Sequence, residues 1–172
     1  EFGQSYNFIN YYENNGKTLD FYARYIDDFL EFKKGKLGKI VLPHDARKRE
    51  LITGKTPQQY FQERYGAQRV DLVELGSIQD GINSVRAMFP RCWFDSQACK
   101  QGIECLRNYH KEFDEVRKVY KNTAEHDWSS HGADSFRLVA MWKGDRVSFK
   151  SPIQAQQDNY KFLKNLYARK PA

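Results

Sequence analysis

The pattern of apolar residues along this chain switches repeatedly between a period of two and a period near 3.6, and few architectures accommodate that rhythm. Ser5 to Glu13 alternates and is rich in aromatics, which predicts a strand, and Asn14-Asn15-Gly16 is the turn that follows it. Leu19, Tyr22, Ala23, Ile26, Phe29 and Leu30 then recur at helical spacing, with Thr18 as N-cap and Gly35 as the stop. Lys39 to Leu42 is a short apolar strand ended by Pro43, which has no N–H to donate. Thr56-Pro57-Gln58-Gln59 reads as a capping box with proline at the first helical position, and Gly66 closes that helix.

The alternation continues downstream. Arg69 to Leu75 reads as a third strand, and Ser77 caps a helix carrying Ile78, Ile82, Val85 and Phe89 that Pro90 stops. A short strand is expected around Trp93 and Phe94, then a long helix from about Ser96 with Cys99, Ile103, Leu106, Tyr109 and Phe113 on one face. Asp114 to Glu125 is polar and carries no assignable pattern, a helix follows Ser130, and the basic tail holds one more helical spacing through Tyr160, Leu163 and Tyr167. Strand-helix alternation of this kind calls for an α/β fold with a mainly parallel sheet and right-handed crossovers.

The 172 residues fit one domain, with 12 Phe, 11 Tyr and 3 Trp to fill its core. No apolar run approaches the roughly 18 residues of a membrane span, and no signal-peptide pattern is present. Three cysteines, Cys92, Cys99 and Cys105, without C-x-x-C spacing argue against a zinc site or a disulfide framework and fit a reducing cytoplasm. Gly54-Lys55-Thr56 looks like the end of a phosphate-binding P-loop, but position 49, where that motif needs glycine, is Arg. There is no Gly-x-Ser-x-Gly elbow, so nucleophilic-triad chemistry has no specific support. His110 and Asp114, spaced as a helical pair, read as a surface hydrogen bond.

The net charge of +6 is unevenly placed. Seven basic residues against one acid lie between Lys33 and Arg49, and seven against two from Lys143 onward. Arg47, Lys48, Arg49, Lys143 and Arg146 are candidates to neutralise nucleic-acid phosphates; the competing reading is a solvated basic face.

Two stretches concentrate groups with chemistry. In Lys39-Ile40-Val41-Leu42-Pro43-His44-Asp45-Ala46 an apolar run delivers an aspartate at its C-terminal end. In His126-Asp127-Trp128-Ser129-Ser130-His131-Gly132-Ala133-Asp134-Ser135-Phe136-Arg137, Ser130 reads as the N-cap and Asp134 falls near the first turn. A carboxylate held there beside imidazoles suits a divalent metal; the plainer reading is that Asp134 complements the helix dipole. If Asp45 ends a parallel strand and Asp134 opens a helix beside it, both carboxylates converge where open α/β sheets place their sites.

Together these stretches resemble the nuclease domain of the large terminase subunit, the DNA-packaging motor of tailed phages. Weaker matches lie between them, at Gly81-Ile82 with Arg86 and at Cys105-Leu106 with Tyr109, so the resemblance spans residues 6–142. It implies a ribonuclease H-like mixed sheet flanked by helices over residues 1–142, with residues 143–172 as a basic tail. It also implies cleavage of concatemeric double-stranded DNA by two Mg²⁺ or Mn²⁺ ions, in the host cell cytoplasm. Asp45 would hold one ion and Asp134 would complete the second. His131 would be a further ligand or a phosphate contact, and Asp127 a ligand, or else a cap or brace for the loop. Implied partners are the portal protein of the prohead, the small terminase subunit and an N-terminal ATPase domain of the same polypeptide. The family's aspartate on the first, central strand has no counterpart here: the expectation is that the chain begins after that strand, with Glu13 as the only substitute. The rival readings are another ribonuclease H-like nuclease, such as a junction resolvase, and a non-catalytic DNA- or portal-binding module.

Overall fold

A computed structural model describes residues 5–49, 54–74 and 76–143, the side chain of Lys143 excepted. Six strands and five helices alternate through them. In chain order they are β1 (Tyr6–Phe8), α1 (Leu19–Phe32), β2 (Ile40–Pro43), α2 (Pro57–Tyr65), β3 (Val70–Val73) and α3 (Ile78–Met88). Then come β4 (Cys92–Phe94), α4 (Lys100–Asn108), β5 (Lys111–Asp114), β6 (Val119–Ala124) and α5 (Trp128–Lys143). The class is mixed α/β, as the alternation requires. Among the described residues no helix is long and apolar enough to cross a membrane.

The helix starts follow the capping chemistry written in the sequence. Thr18 accepts from the Phe21 N–H, and Ser77 from the Asp80 N–H. Thr56 and Gln59 form both arms of a capping box, at 3.0 and 3.1 Å.

Strand pairing is more divided than a single parallel sheet. β1 pairs with β4 and β2 with β3, both in parallel, while β5 and β6 form an antiparallel hairpin. The strands of the two parallel pairs are three or four residues long and make few ladder bonds, so those pairs are held mainly by the helices they pack against. Ala23, Ile40, Phe61 and Val70 form one core beneath Leu19, Leu42 and Tyr65, joining α1 and α2 to β2 and β3. Met88, Phe136 and Ala140 form a second with Phe8, Val85, Phe94 and Leu106, joining α3, α4 and α5 to β1 and β4.

Helix α5 joins the two cores. Phe136 sits in the second core, while the Trp142 indole N–H donates to Asp71 on β3 at 3.0 Å. Its early turns lie so close to α4 that a Cβ at Gly132 would come within 2.6 Å of the Cys105 Cβ and 2.8 Å of the Tyr11 hydroxyl. No other residue fits there without pushing the helices apart.

Three expectations are corrected. The long helix from Ser96 is shorter. Asp95 Oδ1 takes the Gln97 and Ala98 N–H groups in a turn, α4 begins at Lys100, and Phe113 lies in β5. The unassigned segment from Asp114 is the hairpin. Asp114 Oδ1 accepts from the Val116 and Arg117 N–H groups, and Lys118 adopts φ 53°. His110 and Asp114 are therefore not a helical pair, and the His110 ring lies 2.6 Å from the Asn108 carbonyl oxygen. The helical spacing in the tail lies outside the described residues.

Candidate functional site

Because β2 and β3 run parallel with Pro43 opposite Val73, the residues that follow each strand emerge at one edge. From β2 the chain turns through a 3-10 turn, His44–Arg47, that carries Asp45. From β3 it places Glu74 beside that turn. Helix α5 crosses the same edge, and a cleft of about 530 Å³ opens between them, lined by His44, Asp45, Glu74, His131, Asp134 and Arg137 among others. Asp45 and Asp134, far apart in the chain, thus face one cavity at the carboxyl ends of a parallel pair.

The start of α5 differs in detail from the sequence reading. Asp127, not Ser130, is the cap. Its Oδ1 accepts from the Ser129 N–H at 2.9 Å and the Ser129 hydroxyl at 2.6 Å. Ser130 is buried inside the first turn, where its hydroxyl donates to the Asp127 carbonyl at 2.7 Å and lies 3.2 Å from His126 Nδ1. A carboxylate accepts the end N–H groups better than a hydroxyl does, and the helix dipole favours its charge. Asp134 consequently sits in the second turn rather than the first, where the dipole acts on it less.

The Ser129 hydroxyl holds the Asp127 carboxyl below its ordinary value. A lowered folded value means the cap's contribution is complete above the unfolded value, about pH 4, and fades as pH falls through the folded one. Asp127→Ala lowers Tm by about 2–4 °C at pH 7 and by less near pH 3, a contrast that thermal melts at the two pH values measure.

Charges around the cleft are tied down to different degrees. Arg47 grips Glu74 with both ends of its guanidinium, at 2.6 and 3.2 Å. That grip, with a smaller pull from His44, holds the Glu74 carboxyl below its ordinary value. Arg137 Nη2 lies 3.1 Å from Asp134 Oδ1, one turn away on α5. His131 is exposed, and its ring meets His126 edge-on at 5.5 Å. Lys48 and Arg49 are exposed beside the cleft-forming turn.

Not every expected residue comes to this cavity. Glu13 does not line it; its carboxylate takes the Tyr11 hydroxyl at 2.5 Å and the Gln101 amide. Asp127 is occupied in capping α5. Arg146 and the Lys143 side chain fall outside the described residues. Sequence reading missed Glu74 and Arg137. Glu74 was findable as the residue that leaves β3, and Arg137 only as one turn beyond Asp134.

The donors fit a hard divalent cation in kind, since Asp45 and Asp134 offer carboxylate oxygens to one cavity. In number two carboxylates fall short of a two-metal centre. Among the described residues no three of His, Cys, Asp or Glu converge as a metal-holding group. Magnesium is commonly bound by one or two carboxylates with water and substrate phosphate completing its shell.

No family model, no curated protein and no solved structure matches this chain.

Proposed function

We propose that this chain is a metal-dependent DNA endonuclease region of the large-terminase kind, ribonuclease H-like in its fold, which cuts concatemeric duplex DNA during genome packaging. The observation that carries the reading is the meeting of Asp45 and Asp134 at one cleft at the carboxyl edge of β2 and β3. A phosphodiester bond resists hydrolysis because its charge repels nucleophiles, and a divalent cation supplies the charge that offsets this. Asp45 and Asp134 would hold Mg²⁺ or Mn²⁺ together with a substrate phosphate, and the second ion of a two-metal centre would require carboxylates beyond these two. His131, exposed on the cleft wall, would be a further ligand or a phosphate contact. The portal protein, the small terminase subunit and an ATPase domain are partners on the strength of the resemblance alone.

Arg47, Lys48 and Arg49 leave the same turn as Asp45, so duplex DNA drawn to them lies across the cleft. Phosphate neutralisation makes affinity fall with salt and gives no sequence preference. Reversing all three charges lowers duplex affinity by roughly 10- to 100-fold at low salt and flattens its salt dependence. Arg47 is partly spent on Glu74, so Glu74→Gln raises affinity about two- to fivefold by releasing it, as screened surface pairs are weak. Fluorescence anisotropy across a salt series measures both. Unchanged affinity and slope in the triple reversal would mean that these residues are a solvated face and that DNA enters elsewhere.

A junction resolvase would share the cleft chemistry but prefer branched DNA. Equal binding of linear duplex and four-way junctions favours the terminase reading.

A further inference from the structure

We infer that Arg137 is the positioning residue of Asp134: seated in a notch that exists because residue 81 is glycine, it fixes the carboxylate that faces the cleft. The inference rests on the reading of that cleft as a cation and phosphate site.

An Asp and an Arg three apart on a helix are ordinarily a loose surface pair. Three features set this one apart. Arg137 is covered while Asp134 is open, with side chains 20% and 48% exposed respectively, so the cation is the anchored member and the carboxylate the presented one. The arginine stem lies against α3 so closely that a Cβ on Gly81 would fall 2.4 Å from Arg137 Cδ and 2.7 Å from its Cγ. Among the described residues, its Nη1 is sealed from solvent and bonded to nothing. A buried donor without an acceptor is destabilising, and such a group persists where its surroundings dictate its position. Packing on α3 dictates it here, and Nη2 lies 3.1 Å from Asp134 Oδ1.

A half-exposed aspartate would otherwise sample several rotamers, and each would present its oxygens to the cleft differently. Held by Arg137, it presents one. Groups that orient a ligand in this way affect metal affinity although they never touch the ion. The guanidinium also repels a cation, so a test must leave the charge in place. Two substitutions do so. Gly81→Ala adds the Cβ that displaces the arginine stem, while alanine is the better helix former and leaves α3 intact. Arg137→Lys keeps the charge and removes the planar fork.

The experiment is a titration of the whole protein with Mn²⁺, followed by paramagnetic broadening of the backbone amides from His131 to Ser135. Melting temperature and duplex-DNA affinity are measured alongside. The wild type is expected to bind on the order of millimolar, and each variant to bind about tenfold more weakly, with Tm and DNA affinity little changed. Wild-type binding with an unchanged or tighter constant in the folded variants overturns the inference and leaves the reading of the cleft standing. So does a loss of DNA affinity with a salt slope reduced by about one, which would make Arg137 a phosphate contact. No broadening in the wild type removes the cation site, and the inference falls with it. If Gly81→Ala does not fold, Arg137→Lys decides.

Discussion

Phe136→Ala is expected to destabilise the protein by about 3–5 kcal/mol, the largest loss of any single truncation in the second core. Phe136 is 7% exposed, and its ring lies 5.0 Å from Phe8, 5.6 Å from Phe94 and 5.9 Å from Phe89. Those neighbours come from β1, from β4 and from the end of α3, so one ring ties three elements to α5. Truncation removes buried apolar area and leaves a cavity that the surrounding side chains only partly fill. The functional consequence follows from position. Asp134 is two residues away on the same helix, so a loosened α5 also releases the cleft wall. Urea unfolding gives the measurement, with Phe32→Ala as the comparison, since Phe32 is 78% exposed and should cost about 0.5 kcal/mol or less. A loss below about 1 kcal/mol at Phe136 would mean that α5 is not the element on which the second core depends.

How much of this was legible in the sequence depended on whether a residue's task is local. The Thr56 capping box is a bond between neighbours, and it stands as read. Strand β2 and its parallel partner β3 were legible because apolar residues fill them and turn residues bound them. The hairpin was not. β5 and β6 bury no residue fully and carry no apolar alternation, and their turn is made by the Asp114 carboxylate over residues 114–118, which hold no glycine or asparagine. At the start of α5 the sequence offered Ser130 as the cap, with Asp127 as a second candidate. Choosing between them needed the knowledge that Ser130 is buried. In the cleft, Asp45 and Asp134 were found from their places at the end of a strand and near the start of a helix. The places of Glu74, leaving β3, and of Arg137, one turn beyond Asp134, are local, but their contacts with Arg47 and with Gly81 are made across the fold, and no local pattern announces those contacts.

The largest effect on function is expected at the two aspartates. This chain should bind duplex DNA well and cut it slowly, with nicking that needs Mn²⁺ or Mg²⁺ on the order of millimolar and stops in EDTA. The reasoning is a count of ligands. Asp45 and Asp134 face the cleft, Arg137 offsets part of the charge on Asp134, and Arg47 engages Glu74, the other acid there. An ion with so few anionic partners keeps most of its waters and exchanges readily, so it seldom sits where it can polarise a phosphate. Among the described residues, removing either aspartate leaves one carboxylate in the cleft besides the Glu74 that Arg47 engages. Asp45→Ala and Asp134→Ala should each lower nicking by about 100-fold or more, while duplex affinity, set by basic residues, stays within about twofold. Supercoiled plasmid incubated with metal, with and without EDTA, reads the cleavage, and anisotropy on a short duplex reads the binding. Metal-dependent nicking that survives both substitutions would place the chemistry elsewhere in the chain. Fast nicking by the wild type, lost in Asp45→Ala and also in Glu74→Gln, would show instead that Glu74 leaves Arg47 and joins the site once DNA phosphates occupy the arginine.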